Sequence, residues 1–108
     1  MFVVEHDGKN IPTVGPKDVD SDVWYGFTYD LEDGEVITSS EWLINGVAIV
    51  VAGVQDTVTL EQVSLVSNVT RANLSGGTLG VRFKLTNRIS TTNTPLDDKS
   101  CYIKVVHL

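Results

Sequence analysis

The chain has 108 residues, 42% apolar and 20% charged, with a formal net charge of −6. That is the size of one domain with enough apolar side chains to bury a core, so a multidomain enzyme and a globally disordered chain are both excluded. An acidic chain repels nucleic acid and anionic lipid, and no apolar run approaches the roughly 20 residues of a membrane helix. Valine, isoleucine and threonine number 17, 6 and 11, against 3 alanines and 1 methionine. β-Branched side chains suit pleated strands and crowd helices, so the chain reads as all-β.

Residues 1–20 contain Pro12, Gly15, Pro16 and four acids, with a short apolar start, Phe2-Val3-Val4. This composition predicts an extended N-terminal arm, leaving 21–108 as the folded domain. The tip is β-prone and suited to adding as a strand to the open edge of a neighbour. Val23 to Leu31 alternates, with Val23, Tyr25, Phe27, Tyr29 and Leu31 on one face. Glu32-Asp33-Gly34-Glu35 is a turn, and Val36 to Ile44 is the next strand. Asn45-Gly46 is the strongest short hairpin signal. Its partner, Val47 to Val51, is apolar on both faces and is therefore expected to be central.

Gly53 to Ser67 holds scattered valine and leucine, with Val58 and Leu60 in alternation. Val69 to Leu74 reads as a short strand closed by Ser75-Gly76-Gly77. From Leu79 to Ile89 alternation directs Leu79, Val81, Phe83 and Leu85 inward and Gly80, Arg82, Lys84 and Thr86 outward. A polar loop with Pro95 precedes the last strand, Cys101 to Leu108, with Cys101, Ile103 and Val105 facing in. Six to eight short strands at this spacing predict a two-sheet sandwich, with a small barrel as the competing architecture. The expected core is Phe27, Trp42, Val81, Phe83, Leu85 and Ile103.

No residue set for chemistry emerges. His6 and His107 lie at opposite ends of the sequence, and no spacing joins them to a nucleophile and an acid. Cys101 cannot make an internal disulfide and sits in an alternating strand as a small core residue, which also favours synthesis in a reducing compartment. Asp18, Asp20 and Asp22 alternate, and Asp30, Glu32, Asp33 and Glu35 cluster. Neither group completes an EF-hand loop, so both read as solvated acids and no metal or other cofactor is expected. Two glycosylation triplets, at Asn68 and Asn73, carry meaning only in a secreted chain. Trp24 and Trp42 fit a sandwich core better than a sugar platform.

Charge is uneven. Residues 1–41 carry 10 acids and 2 bases, a net −8; residues 42–108 carry 4 acids and 6 bases, a net +2. Arg82, Lys84 and Arg88 form the basic cluster. With the tip Phe2, Val3 and Val4 they are the candidate contact residues for a protein partner. Three cations make a poor phosphate track, so no nucleic-acid partner follows from them.

Three stretches carry a family resemblance. They are Pro16-Lys17-Asp18-Val19-Asp20-Ser21-Asp22-Val23-Trp24-Tyr25-Gly26-Phe27, the segment from Leu74 to Thr91 around Gly76-Gly77-Thr78-Leu79-Gly80-Val81-Arg82-Phe83, and Asp97 to Val106. With Ile37-Thr38-Ser39-Ser40-Glu41-Trp42 between them, the order resembles the small tailed-bacteriophage virion proteins called fibre–tail adaptors. The second and third stretches are also similar to the last strands of immunoglobulin-like domains on phage particles and bacterial surfaces. The resemblance spans roughly residues 16–106. The segment Val54 to Asn68 is longer than the family's usual connection, and residues 1–15 are an added leader.

The resemblance implies an immunoglobulin-like β-sandwich of about seven strands and no catalytic, metal-binding or cofactor residues. It also implies a place in the virion after synthesis in the host bacterial cytoplasm, in several copies per particle. The partners would be other virion proteins: portal, neck, tail or fibre components. A capsid decoration protein contacting the major capsid protein is the second role of the same fold, and a carbohydrate-binding module the third. Nucleic acid and membrane are not expected partners.

Overall fold

The computed structural model describes residues 11–107 and the backbone of Phe2–Val4. Two sheets pack face to face. One has the order β1-β3-β8-β7-β6 and the other β2-β10-β9-β4-β5. The first holds β1 (Phe2–Val4), β3 (Val23–Thr28), β8 (Val69–Gly76), β7 (Val58–Val66) and β6 (Val54–Gln55). The second holds β2 (Lys17–Asp18), β10 (Asp97–Val106), β9 (Arg82–Thr91), β4 (Ile37–Ile44) and β5 (Val47–Ile49). Ten strands lie among the described residues against about seven expected, and four of them, β1, β2, β5 and β6, have only two or three residues each.

The architecture is an immunoglobulin-like sandwich. β3, β8 and β7 stand where that fold places strands B, E and D; β10, β9, β4 and β5 take the places of G, F, C and C′. β2 runs parallel to β10, with Val105 opposite Lys17, and the long strands pair antiparallel. Trp42 lies on β4, the strand that carries the buried tryptophan of antibody domains. Its ring centroid is 5.9 Å from that of Phe27 on β3. Antibody domains place a disulfide between the sheets; here a tilted aromatic pair fills the centre.

Alternation decides the core. Tyr25, Phe27 and Tyr29 point inward from the first sheet with Val58, Leu60, Ala72 and Leu74. Phe83, Leu85, Ile89, Cys101, Ile103 and Val105 meet them from the second. Five of the six expected core residues, Phe27, Trp42, Phe83, Leu85 and Ile103, are buried. Val81 is not: it is 50% exposed, and Leu79 is exposed beside it. The strand starts at Arg82 because Gly80 (φ 81°) turns the chain, with the Val81 amide donating to the Thr78 carbonyl. The inward phase therefore begins only at Phe83.

A second expectation is corrected at β5. Its apolar sequence suggested a central strand, yet it ends its sheet and is three residues long. Val47, Val50 and Val51 are exposed along that edge, while Ile49 alone of the segment is buried. The last strand also begins earlier than Cys101, at Asp97. Gly77 has a positional reason to lack a side chain: φ is 103°, and a Cβ there would lie 2.5 Å from Cγ2 of Val105.

Cys101 is fully buried, and desolvation pushes its thiol up to about 12. The folded thiol therefore stays protonated where the unfolded chain would ionise. It adds stability below the unfolded pKa of about 8.5, lost as the pH rises towards the folded value. Native Cys101 should react with a thiol reagent at least a hundredfold more slowly than the urea-unfolded chain, judged from its burial and lost thiolate. Equal rates would contradict its place in the core.

Candidate partner-binding surfaces

The outer face of the second sheet collects cations. On β9 Phe83, Leu85, Asn87 and Ile89 are buried, so Arg82, Lys84 and Arg88 share the solvent side, as alternation predicts. β10 adds Tyr102 opposite Lys84 and Lys104 opposite Arg82. Like charges directly across a ladder repel, so Arg82 and Lys104 cost the fold some stability. The Arg82 guanidinium lies 4.0 Å from the Tyr102 ring centroid, which partly compensates. Arg88 differs: it forms a two-pronged pair with Asp98 at 2.8 and 3.0 Å. The cationic surface is therefore Arg82, Lys84 and Lys104 around Tyr102, with Arg88 already neutralised. Lys104 and Tyr102 were legible only once the register of β10 against β9 was known.

The tip Phe2–Val4 runs parallel to β3, with Phe2, Val3 and Val4 opposite Tyr25, Gly26 and Phe27. Its side chains and residues 5–10, His6 among them, lie outside the described residues. The rest of the segment up to residue 20 follows β10. The Val14 amide donates to the Tyr102 carbonyl, the Tyr102 amide to that of Pro12, and the Val19 amide to that of Val106.

Lys17 is fully buried where this segment turns into β3. Its ammonium donates to the carbonyls of Asp18, Ser21 and Gly76 at 2.8, 2.5 and 3.0 Å. Gly76 belongs to β8 of the opposite sheet, so one side chain ties the two sheets at this end. Desolvation lowers its pKa, opposed by the charges of Asp18, Asp22 and Asp20.

That corner forms one wall of a polar cleft of about 480 Å³ on the outer face of β3, β8 and β7. Trp24, Asn73 and Gln62 make a row across three strands, because Asn73 is in register with both of the others. A bulge between Leu60 and Gln62 interrupts the ladder at Glu61, which lines the cleft and accepts a 2.5 Å hydrogen bond from the Ser75 hydroxyl. Asp20 and Asp22 close the other side. Of the two tryptophans, Trp42 is core, while Trp24 is half-buried and lines this cleft.

A smaller apolar cleft of about 230 Å³ opens between the sheet edges, lined by Trp42, Ile49, Val50, Val51, Leu60 and Val63 among others. Val50 is 76% exposed there. Among the described residues no group of three or more His, Cys, Asp or Glu is placed to hold a metal ion.

A cationic face and exposed apolar edge residues on a small domain are features of the kind that mark interaction surfaces. The description Podophage GP4 fiber-tail adaptor protein gp77 matches residues 17–104, most of the chain. The protein belongs to this family of bacteriophage tail-fibre adaptors, which are virion structural proteins. No curated protein and no solved structure matches it.

Proposed function

We propose that this protein joins tail fibres or other tail components to the neck or tail of a podophage particle, acting without catalysis through surface contacts. The observation that carries this reading is the family match, which begins at Lys17 and ends on β10. The two clefts and the cationic face supply surfaces for such contacts. The exposed valines at the β5 edge add apolar area of the kind that marks interaction sites.

The N-terminal arm completes the reading. Residues 11–20 hold the arm to β10, and the tip Phe2-Val3-Val4 is the part that docks. Three residues of parallel pairing to β3 are a small commitment, and parallel ladders are slightly weaker per residue than antiparallel ones. The same backbone groups can pair with a neighbour's open edge in the particle, covering a hazard that free edges otherwise present.

Deleting residues 1–10 tests this part of the proposal, since the deletion spares Lys17 and the contacts to β10. The truncated protein should fold, with melting within about 5 °C of the parent, a loss of roughly 1 kcal/mol or less. It should fail to enter particles when supplied in place of the full chain. Normal incorporation would make the tip idle, and loss of folding would make it an ordinary first strand.

A further inference from the structure

We infer that the free edge of β7 pairs with the same edge of a second copy, joining two sandwiches through one continuous sheet. β6 covers β7 only at Val58 and Thr59. The turn before β6 adds Leu60, whose amide donates to the Gly53 carbonyl and whose carbonyl accepts from the Ala52 amide. From Glu61 to Val66 the strand has β8 on one side and no described residue paired to it on the other. An open edge presents a row of unpaired amides and carbonyls. Natural sheets protect such edges with lysine, proline, inward-pointing charges or a bulge. Residues 62–70 hold no charged residue and no proline. The bulge lies at the start, between Leu60 and Gln62, and the ladder is regular from there to Val66.

The inner side of this edge is apolar and incompletely roofed. Val63 and Leu65 stand opposite Ala72 and Thr70, both fully buried, so they face the other sheet. They are nevertheless 45% and 44% exposed. The second sheet narrows here, since β5 pairs with β4 only from Trp42 to Ile44. Val63 lines the apolar cleft together with the exposed Val50 and Val51. A strand in the plane of β7, apolar on its inward face, completes the sandwich on this side.

The edge is complementary to itself. Ser64 is flanked by Val63 and Leu65, and these by Gln62 and Val66. Antiparallel pairing about a two-fold axis through Ser64 sets the two Ser64 residues against each other. Val63 then meets Leu65 of the second copy, and Gln62 meets its Val66. Residues directly opposite share a face, so both Val63–Leu65 pairs fall on the inner side, over the clefts. A shift of one residue would turn the apolar face of one copy outward, which fixes the register. Such a contact is isologous and closes at two copies. Charge favours the same place. The chain carries −6 overall, so two copies repel at most approaches, and this uncharged edge is where they meet without that cost. A second copy pairs here whether or not the protein serves as a fibre adaptor.

The test uses the full chain. Sedimentation equilibrium should show monomer and dimer and no larger species. Leu65→Lys adds an inward-pointing charge, a device of protected edges, and should raise the dissociation constant at least about tenfold. Its melting curve verifies the fold, and a second set of variants reads the register without it. Diamide oxidation of Ser64→Cys should give a disulfide-linked dimer, because opposed Cα atoms in an antiparallel pair lie about 4.5–5.5 Å apart, within disulfide reach. Gln62→Cys alone should not link, since its two copies would lie about 14 Å apart. Gln62→Cys combined with Val66→Cys should link. The parent chain is the control for the buried Cys101. A parent that stays monomeric up to about 1 mM overturns the inference. So does a dimer unaffected by Leu65→Lys, or a Ser64→Cys protein that links no better than Gln62→Cys. Loss of the dimer on deleting residues 1–10 overturns it as well, and would make the tip Phe2-Val3-Val4 the strand that joins two copies. These failures leave the adaptor reading standing, because that depends on where the protein sits in the particle.

Discussion

Asn87→Leu should cost about 4 kcal/mol, roughly 15–30 °C in melting temperature for a domain of this size. Asn87 is fully buried on β9, in the middle of the sandwich. Its Oδ1 accepts from the Tyr29 hydroxyl at 2.7 Å and from the Thr70 hydroxyl at 2.8 Å, both on the side of the opposite sheet. Its Nδ2 donates to Ser40 Oγ at 2.9 Å and to the Glu41 carbonyl at 3.1 Å on neighbouring β4. Burial first, then Asp97 and Asp98, push the Tyr29 phenol well above its ordinary value, so it remains a donor. Leucine matches the volume and makes none of these bonds, leaving the buried Thr70 hydroxyl without its acceptor and the Tyr29 hydroxyl with the backbone carbonyl of residue 87 alone. Each buried orphan costs about 1–3 kcal/mol. The companion variant Asn87→Leu, Thr70→Val removes both ends of one bond and should recover at least about 1 kcal/mol. Urea unfolding of the four proteins of this cycle measures it; additive losses would contradict the network.

Lys17→Met should cost about 2–4 kcal/mol, the scale expected when buried carbonyls lose a charged hydrogen-bond donor. Methionine keeps the apolar stem and takes the ammonium donor from the carbonyls of Ser21 and Gly76, while the Asp18 carbonyl keeps the Ser21 amide. Lys17→Arg should fail to rescue, because a planar fork cannot direct its hydrogens at three converging carbonyls as an ammonium does. The loss of the tie to Gly76 should show as faster amide exchange at Gly77 and Gly80, whose amides donate to the Thr57 and Val105 carbonyls at this end of the sandwich. A stable Lys17→Met protein with unchanged exchange would show that the tie is dispensable.

These two residues show where reading the sequence stopped. The alternation of Tyr25, Phe27 and Tyr29, the Asn45-Gly46 hairpin and the inward phase of Cys101, Ile103 and Val105 are local patterns, and each appears in the fold. Lys17 and Asn87 are polar residues with distant partners. Asn87 meets residues 58, 17 and 47 positions away, and Lys17 meets one 59 positions away. No periodicity announces such contacts. The error at Val81 has a local cause, since Gly80 inserts a turn into a sequence whose apolar alternation runs on unbroken. The error at β5 is one of context: five apolar residues describe a buried strand equally well as a short exposed edge.

The candidate surfaces divide in the same way. Arg82, Lys84 and Arg88 share a face because they share a strand, and that was legible. Lys104 joins them, and Asp98 neutralises Arg88, only through the pairing of β10 with β9. The cleft at Trp24 needs the β2–β3 turn, two cross-strand registers and a bulge, so its acids read as solvated until the strands were in place.

Placing the protein in intact particles tests the central claim most directly. Cryo-electron microscopy of the phage, without imposed icosahedral symmetry and with the protein tagged at its C-terminus, should show the tag at the tail vertex, in a small number of copies beside the fibres. A tag repeated over the capsid shell would make the protein a decoration subunit, and absence from the particle would contradict a structural role in the virion.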